Sequence, residues 1–162
     1  MIDTKLYSKD REKYGDQYIS HLFEQYKIYV EGVEKISDRR QNANNYFIAI
    51  NTAIITFFGL SFQIDFFENL FWVRGLLALL GVIICVIFWF LLRSYKQLNS
   101  GKFKVIHAIE KELPLALYDY EWEVLGRGKD KKLYYPFSHI EIFIPGVFVL
   151  VYLVLGFVFL IK

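Results

Sequence analysis

Hydrophobic and polar positions alternate along this chain in blocks, and the blocks predict helices. From Asp16 onward, Ile19, Leu22, Tyr26, Tyr29, Val33 and Ile36 follow one another at spacings of 3, 4, 3, 4 and 3, the rhythm of one helix face. Phe23 and Val30 widen that stripe, and Glu24, Lys27, Glu31, Glu34 and Lys35 occupy the other side. This amphipathic helix has to bury its apolar side. It can do so against the chain's own second polar segment or against another copy; balanced acids and bases on its polar face argue against a lipid surface. Three runs then lack almost all charge: Tyr46–Ile64, Phe71–Leu92 and Ile142–Ile161. As a helix the second would be about 33 Å long, against a hydrocarbon core of about 30 Å. All three read as membrane spans.

Residues 33–58 contain neither Pro nor Gly, so the amphipathic helix is expected to run straight into the first span. Within that span Asn45, Thr52, Thr56, Gly59 and Gln63 recur at 7, 4, 3 and 4 and share one face. Small and polar residues in such a stripe mark a helix–helix contact, or else line a water-filled path. Residues 65–70 form a short connection, and Arg74, just inside the second span, is expected to reach outward to Asp65 or Glu68. Beyond Arg93, Asn99-Ser100-Gly101 predicts a helix start. Phe103, Ile106, Ile109 and Leu113 make a stripe ending at Pro114, Tyr118–Leu125 a second short helix, and the Gly126-Arg-Gly-Lys stretch a turn.

The resulting expectation is an all-α integral membrane protein: an arm over 1–45, spans at 46–64, 71–92 and 142–161, and a helical segment over 93–141. Of the 19 Lys and Arg residues, eight lie in 1–45 and nine in 93–141, while Arg74 and Lys162 make up the rest. The positive-inside bias therefore predicts that both polar segments are cytoplasmic and the C-terminus external. The first 15 residues are polar and charged, which predicts no cleavable signal peptide and leaves the first span as the insertion signal.

Composition adds little chemistry. Hydrophobic residues reach 55% and aromatics 19%, as three spans require, and a net charge of +2 leaves no nucleic-acid footprint. One cysteine, Cys85, inside a span, excludes a disulfide framework. Gly126-Arg-Gly-Lys lacks the spacing of a phosphate loop. It reads as a basic turn, with Arg127, Lys129, Lys131 and Lys132 facing lipid headgroups. His107 and His139 are 32 residues apart with no metal-ligand pattern; His139 beside Glu141 is a candidate pH-sensitive pair. Glu110, Glu112, Glu121 and Glu123 read as carboxylates on solvated helix faces with no activated nucleophile. Tyr95 and Trp122 serve either packing or an aromatic ligand surface. No enzyme, cofactor or metal is expected. The candidate oligomer contacts are Ile19, Leu22, Tyr26, Tyr29, Val33, Ile36, Thr52, Thr56, Gly59 and Gln63.

Several local stretches carry a further resemblance: Arg39-Arg-Gln-Asn-Ala-Asn-Asn-Tyr-Phe47, Ser94 to His107, Glu110-Lys-Glu-Leu-Pro114, Tyr120-Glu-Trp122, Leu125-Gly126 and Tyr135-Pro-Phe-Ser-His-Ile-Glu141. Over residues 38–150, in order, the chain resembles the RipA-like group of small bacterial inner-membrane proteins, described as octameric. The resemblance implies a homo-octamer in a bacterial cytoplasmic membrane, linked to stress or intracellular survival, and brings no catalytic residues. Two function classes follow. One is a non-enzymatic membrane assembly, scaffold or pore-like. The other is a membrane-anchored sensor or effector whose 94–141 segment binds a cytoplasmic ligand or protein.

Overall fold

A computed structural model describes residues 6–63, 71–130 and 132–161. Among the described residues six α-helices follow one another: α1 (Arg11–Tyr14), α2 (Tyr18–Leu60), α3 (Phe71–Glu110), α4 (Leu117–Val124), α5 (Phe137–Glu141) and α6 (Ile144–Ile161). Among the described residues there is no strand. Three helical stretches, Tyr18–Leu60, Trp72–Glu110 and Phe137–Val158, are long and apolar enough to cross a membrane. The described residues thus form an all-α fold with three candidate spans. The expected 65–70 connection lies outside the described residues.

The helix α2 runs 43 residues without a break, as the absence of Pro and Gly over 33–58 leads one to expect. The helix α3 corrects the sequence reading: it continues through Asn99, Ser100 and Gly101 for 40 residues in all. The cap-like residues do not start a new helix, because one interior glycine costs only about 1 kcal/mol relative to alanine. The seam explains what outweighs it. From Gly81 one row of buried and half-buried positions on α3 runs Cys85, Phe88, Leu92, Tyr95, Asn99, Lys102, Ile106 and Ile109. These steps of 4 and 3 keep one face inward along the helix.

At the third span the apolar run from Ile142 is divided. Its helix α6 begins at Ile144, after a turn at residues 142–143 that follows α5. Pro145 sits in the first turn of α6, where its missing N–H costs nothing.

The chain divides into two compact units. Unit 1 comprises Met1–Asp38 and Tyr95–Pro136. Its buried side chains include Leu22 and Val33 from α2 and Ile106, Ile109 and Glu110 from α3. Tyr7 ties the N-terminal segment on by donating to the Ala108 carbonyl at 3.1 Å, and Phe103 meets Tyr118 of α4 edge-on at 5.8 Å. Unit 2 comprises Arg39–Ser94 and Phe137–Lys162. Phe58, Cys85, Phe88, Leu92 and Tyr152 form its apolar core, joined by buried Asn44, Asn51, Ser61 and Glu141. Phe47 and Phe88 stack at 4.5 Å. A Cβ at Gly81 would sit within the Tyr152 ring, so only glycine lets α6 approach α3 this closely.

Candidate functional site

The polar chemistry of unit 1 converges on Glu110, at the end of α3. Its carboxylate is 1% exposed, which corrects its expected place on a solvated face. One oxygen accepts from the Tyr26 hydroxyl at 2.9 Å and from the Tyr118 backbone N–H at 2.9 Å. The other accepts from the Asp119 N–H at 3.0 Å. Tyr118 and Asp119 belong to the first turn of α4, whose N-cap Ala116 offers no side-chain acceptor. Glu110 therefore serves as the cap from a distance, and its charge faces the positive end of that helix. Burial, then the hydrogen bond to Glu110, holds the Tyr26 phenol well above its ordinary 10.0. Burial chiefly, with Glu34, Glu121 and Glu110 nearby, raises Tyr118 as well. For Tyr7 the causes are burial, then Glu112 and Tyr18.

In unit 2, Asn51 joins three helices. Its amide oxygen accepts from the Tyr152 hydroxyl at 2.9 Å and the Cys85 thiol at 3.2 Å. Its amide nitrogen donates to the Phe47 carbonyl at 2.7 Å. All three side chains are buried, so each polar atom in this apolar setting has found a partner where none is available from lipid. A second knot holds α5: Asn44 donates to Glu141 at 2.6 Å, and Arg40 pairs with the other carboxylate oxygen at 3.5 Å, an ion pair rather than a hydrogen bond. Arg74 closes the far end of α2. Its guanidinium donates to the Ser61 carbonyl at 2.8 Å and to the Ser61 hydroxyl at 3.2 Å, lying 4.2 Å from the Phe62 ring centre. Its expected partners Asp65 and Glu68 lie outside the described residues; the observed geometry places a cation on the last carbonyls of a helix.

The sequence-predicted contacts are distributed unevenly. Leu22 and Val33 are buried in unit 1, and Tyr26 is held by Glu110. Tyr29 and Ile36 are half-buried, with the Lys102 ammonium 4.5 Å over the Tyr29 ring. Ile19 stays exposed. Most of this stripe is thus occupied by its own chain, one of the two arrangements the pattern leaves open. Thr52, Thr56, Gly59 and Gln63 are all exposed, on a face roughly a third of a turn from Asn51 and Phe58. Their hydroxyls donate to the chain's own backbone, Thr52 to Ile48 at 2.8 Å and Thr56 to Thr52 at 2.9 Å.

At the basic turn, Gly126, Arg127 and Gly128 have φ of 69°, 52° and 69°. The two glycines supply the left-handed backbone that brings Arg127 back over α4. There it pairs with Asp119 at 3.3 Å and Glu123 at 3.4 Å, so its charge is spent on the protein. Lys129 and Lys132 are exposed; Lys131 lies outside the described residues. Trp122 packs on Gly128 and edge-on to Tyr134. His107 lies 3.7 Å from Asp119.

Three long apolar helices, tied by satisfied polar groups at their centres, define a multi-pass α-helical membrane protein. The family model of the octameric membrane protein family (8xMP) matches residues 23–161, and the chain belongs to that family. No curated protein and no solved structure matches it.

Proposed function

We propose that this protein is a non-enzymatic homo-octamer of a bacterial inner membrane that acts as a scaffold, with the outward stripe of α2 as a protomer–protomer contact. The observation that carries this reading is the exposure of Thr52, Thr56, Gly59 and Gln63 on a candidate membrane-spanning helix. Thr52, Thr56 and Gly59 are small enough to allow close helix approach, and the threonine hydroxyls already have acceptors on the same helix. The stripe holds no ionisable group, which a selective aqueous path would often use. Both polar segments face the cytoplasm in this reading, and the link to stress or intracellular survival follows from the RipA-like resemblance.

Native mass spectrometry of Thr56→Leu and Thr56→Ser tests it. Added bulk at Thr56→Leu is expected to yield smaller species, while Thr56→Ser stays octameric. A full-size Thr56→Leu octamer with lowered ion flux in liposomes would instead make the stripe a pore wall.

A further inference from the structure

The stripe from Leu22 to Val33 is largely used up inside unit 1, so an assembly that includes this unit has to use other surfaces. Two of the apolar faces that the described residues leave uncovered there lie on α4 and α2. Leu117, Tyr120 and Val124, at spacings of 3 and 4, form one side of α4 and are 63%, 69% and 58% exposed. Glu110 fixes the first turn of α4 through two backbone N–H groups. The face is therefore presented on an anchored helix, and little ordering cost would attend its burial. On α2, Ile19 and Phe23 are exposed one turn apart, and the Lys27 ammonium sits 5.1 Å over the Phe23 ring.

We propose that the α4 face of one protomer docks on Ile19 and Phe23 of a second copy of this chain; the inference rests on the homo-oligomeric reading above and identifies one of its interfaces. Charge favours this pairing. Among the described residues Glu121, next to Tyr120, is exposed and makes no ion pair, whereas Lys27 pairs with Glu24 at 2.7 Å, half-exposed, and lies over the Phe23 ring. Such a pair contributes little and exchanges readily, so Lys27 can turn to the neighbour's Glu121. An α4–α4 contact would instead set Glu121 against its own copy. A lipid surface fits poorly, because α4 itself carries Asp119, Glu121 and Glu123 and no Lys or Arg, and anionic headgroups repel it. Two different patches, each used once by every protomer, form a heterologous contact, the kind that closes rings. A family of octamers is what such a contact serves.

Disulfide trapping in the full-length protein tests the pairing. In a Cys85→Ser background, a Phe23→Cys chain and a Tyr120→Cys chain with different tags are coexpressed and oxidised in nanodiscs. A mixed disulfide dimer is expected, with neither chain forming a dimer alone. Tyr120→Asp, an exposed change that leaves helicity and melting unaltered, is expected to shift native mass spectra from the octamer to smaller species. An octamer that persists in Tyr120→Asp, with no mixed dimer, would overturn this interface while leaving the oligomeric reading intact. A monomeric wild type would overturn both. A Tyr120→Cys homodimer would replace the head-to-tail arrangement with a two-fold one. Shielding of Tyr120→Cys from a water-soluble maleimide without any cross-link would put lipid on this face and end the proposal.

Discussion

Single residues carry more of this architecture than their surroundings suggest. Glu110 lies in Glu110-Lys-Glu-Leu-Pro, which reads as a solvated stretch, yet it is the buried anchor for α4 and Tyr26. Hydrogen bonds to a charged acceptor contribute about 1.5–3 kcal/mol each, so Glu110→Ala is expected to cost at least that and to free the start of α4. Hydrogen exchange at the Tyr118 and Asp119 amides should accelerate, while amides of unit 2 keep their protection. The Tyr26 phenol gives this anchor a pH dependence of known sign. Its folded-state value lies above the ordinary 10.0, so its contribution is complete below pH 10 and is lost as pH rises further. Tyr26→Phe is expected to flatten the alkaline limb of a melting-temperature profile, and an unchanged limb would remove Tyr26 as its source. Gly81 is the counterpart in unit 2. Gly81→Ala places a methyl in the Tyr152 ring, with an overpacking cost of about 1–3 kcal/mol, and pairing it with Tyr152→Ala should recover part of the loss.

At the scale of elements, the long helix α2 was legible because nothing in residues 33–58 could stop it. That Thr52, Thr56, Gly59 and Gln63 share a face was legible from their spacing; that this face is exposed in the single chain was not. The buried polar set, Asn44, Asn51 and Ser61, was not legible, because an asparagine in an apolar run looks the same whether its partner is Tyr152 or another chain. The partnership of Glu141 with Arg40 was not legible for a similar reason: it spans about a hundred positions, and no local rule connects them. The false start at Asn99-Ser100-Gly101 shows the opposite failure, a good local signal overridden by the seam that continues through Asn99 and Lys102 to Ile106. This gives a direct check. Gly101 is helical with open space at its Cβ position. Gly101→Ala should then be neutral or stabilise by up to about 1 kcal/mol, whereas Gly101→Pro should cost about 3 kcal/mol or more. Equal tolerance of both in a thermal melt would mean that the helix does break there.

For the whole molecule, the distribution of charge predicts the sense of insertion. Residues 1–45 hold eight Lys and Arg and residues 93–141 hold nine, against Arg74 and Lys162 for the remainder of the chain. At a few kcal/mol for carrying such groups across a hydrocarbon core, this asymmetry outweighs any preference of the short connection. It predicts that both polar segments stay on the cytoplasmic side and that the 65–70 connection and the C-terminus emerge on the other. Part of the positive set is internally engaged, Arg40 by Glu141 and Arg127 by Asp119 and Glu123. That does not change the sign of the bias, since basic residues count in orientation whether or not acids accompany them. In a Cys85→Ser background, a maleimide that cannot cross the membrane should modify Phe67→Cys and a cysteine added after Lys162 in intact cells. Asn99→Cys should react only after lysis. Modification of Asn99→Cys from outside, with Phe67→Cys silent, would invert the molecule and move the α4 face to the external side, where the proposed ring contact would have to form instead.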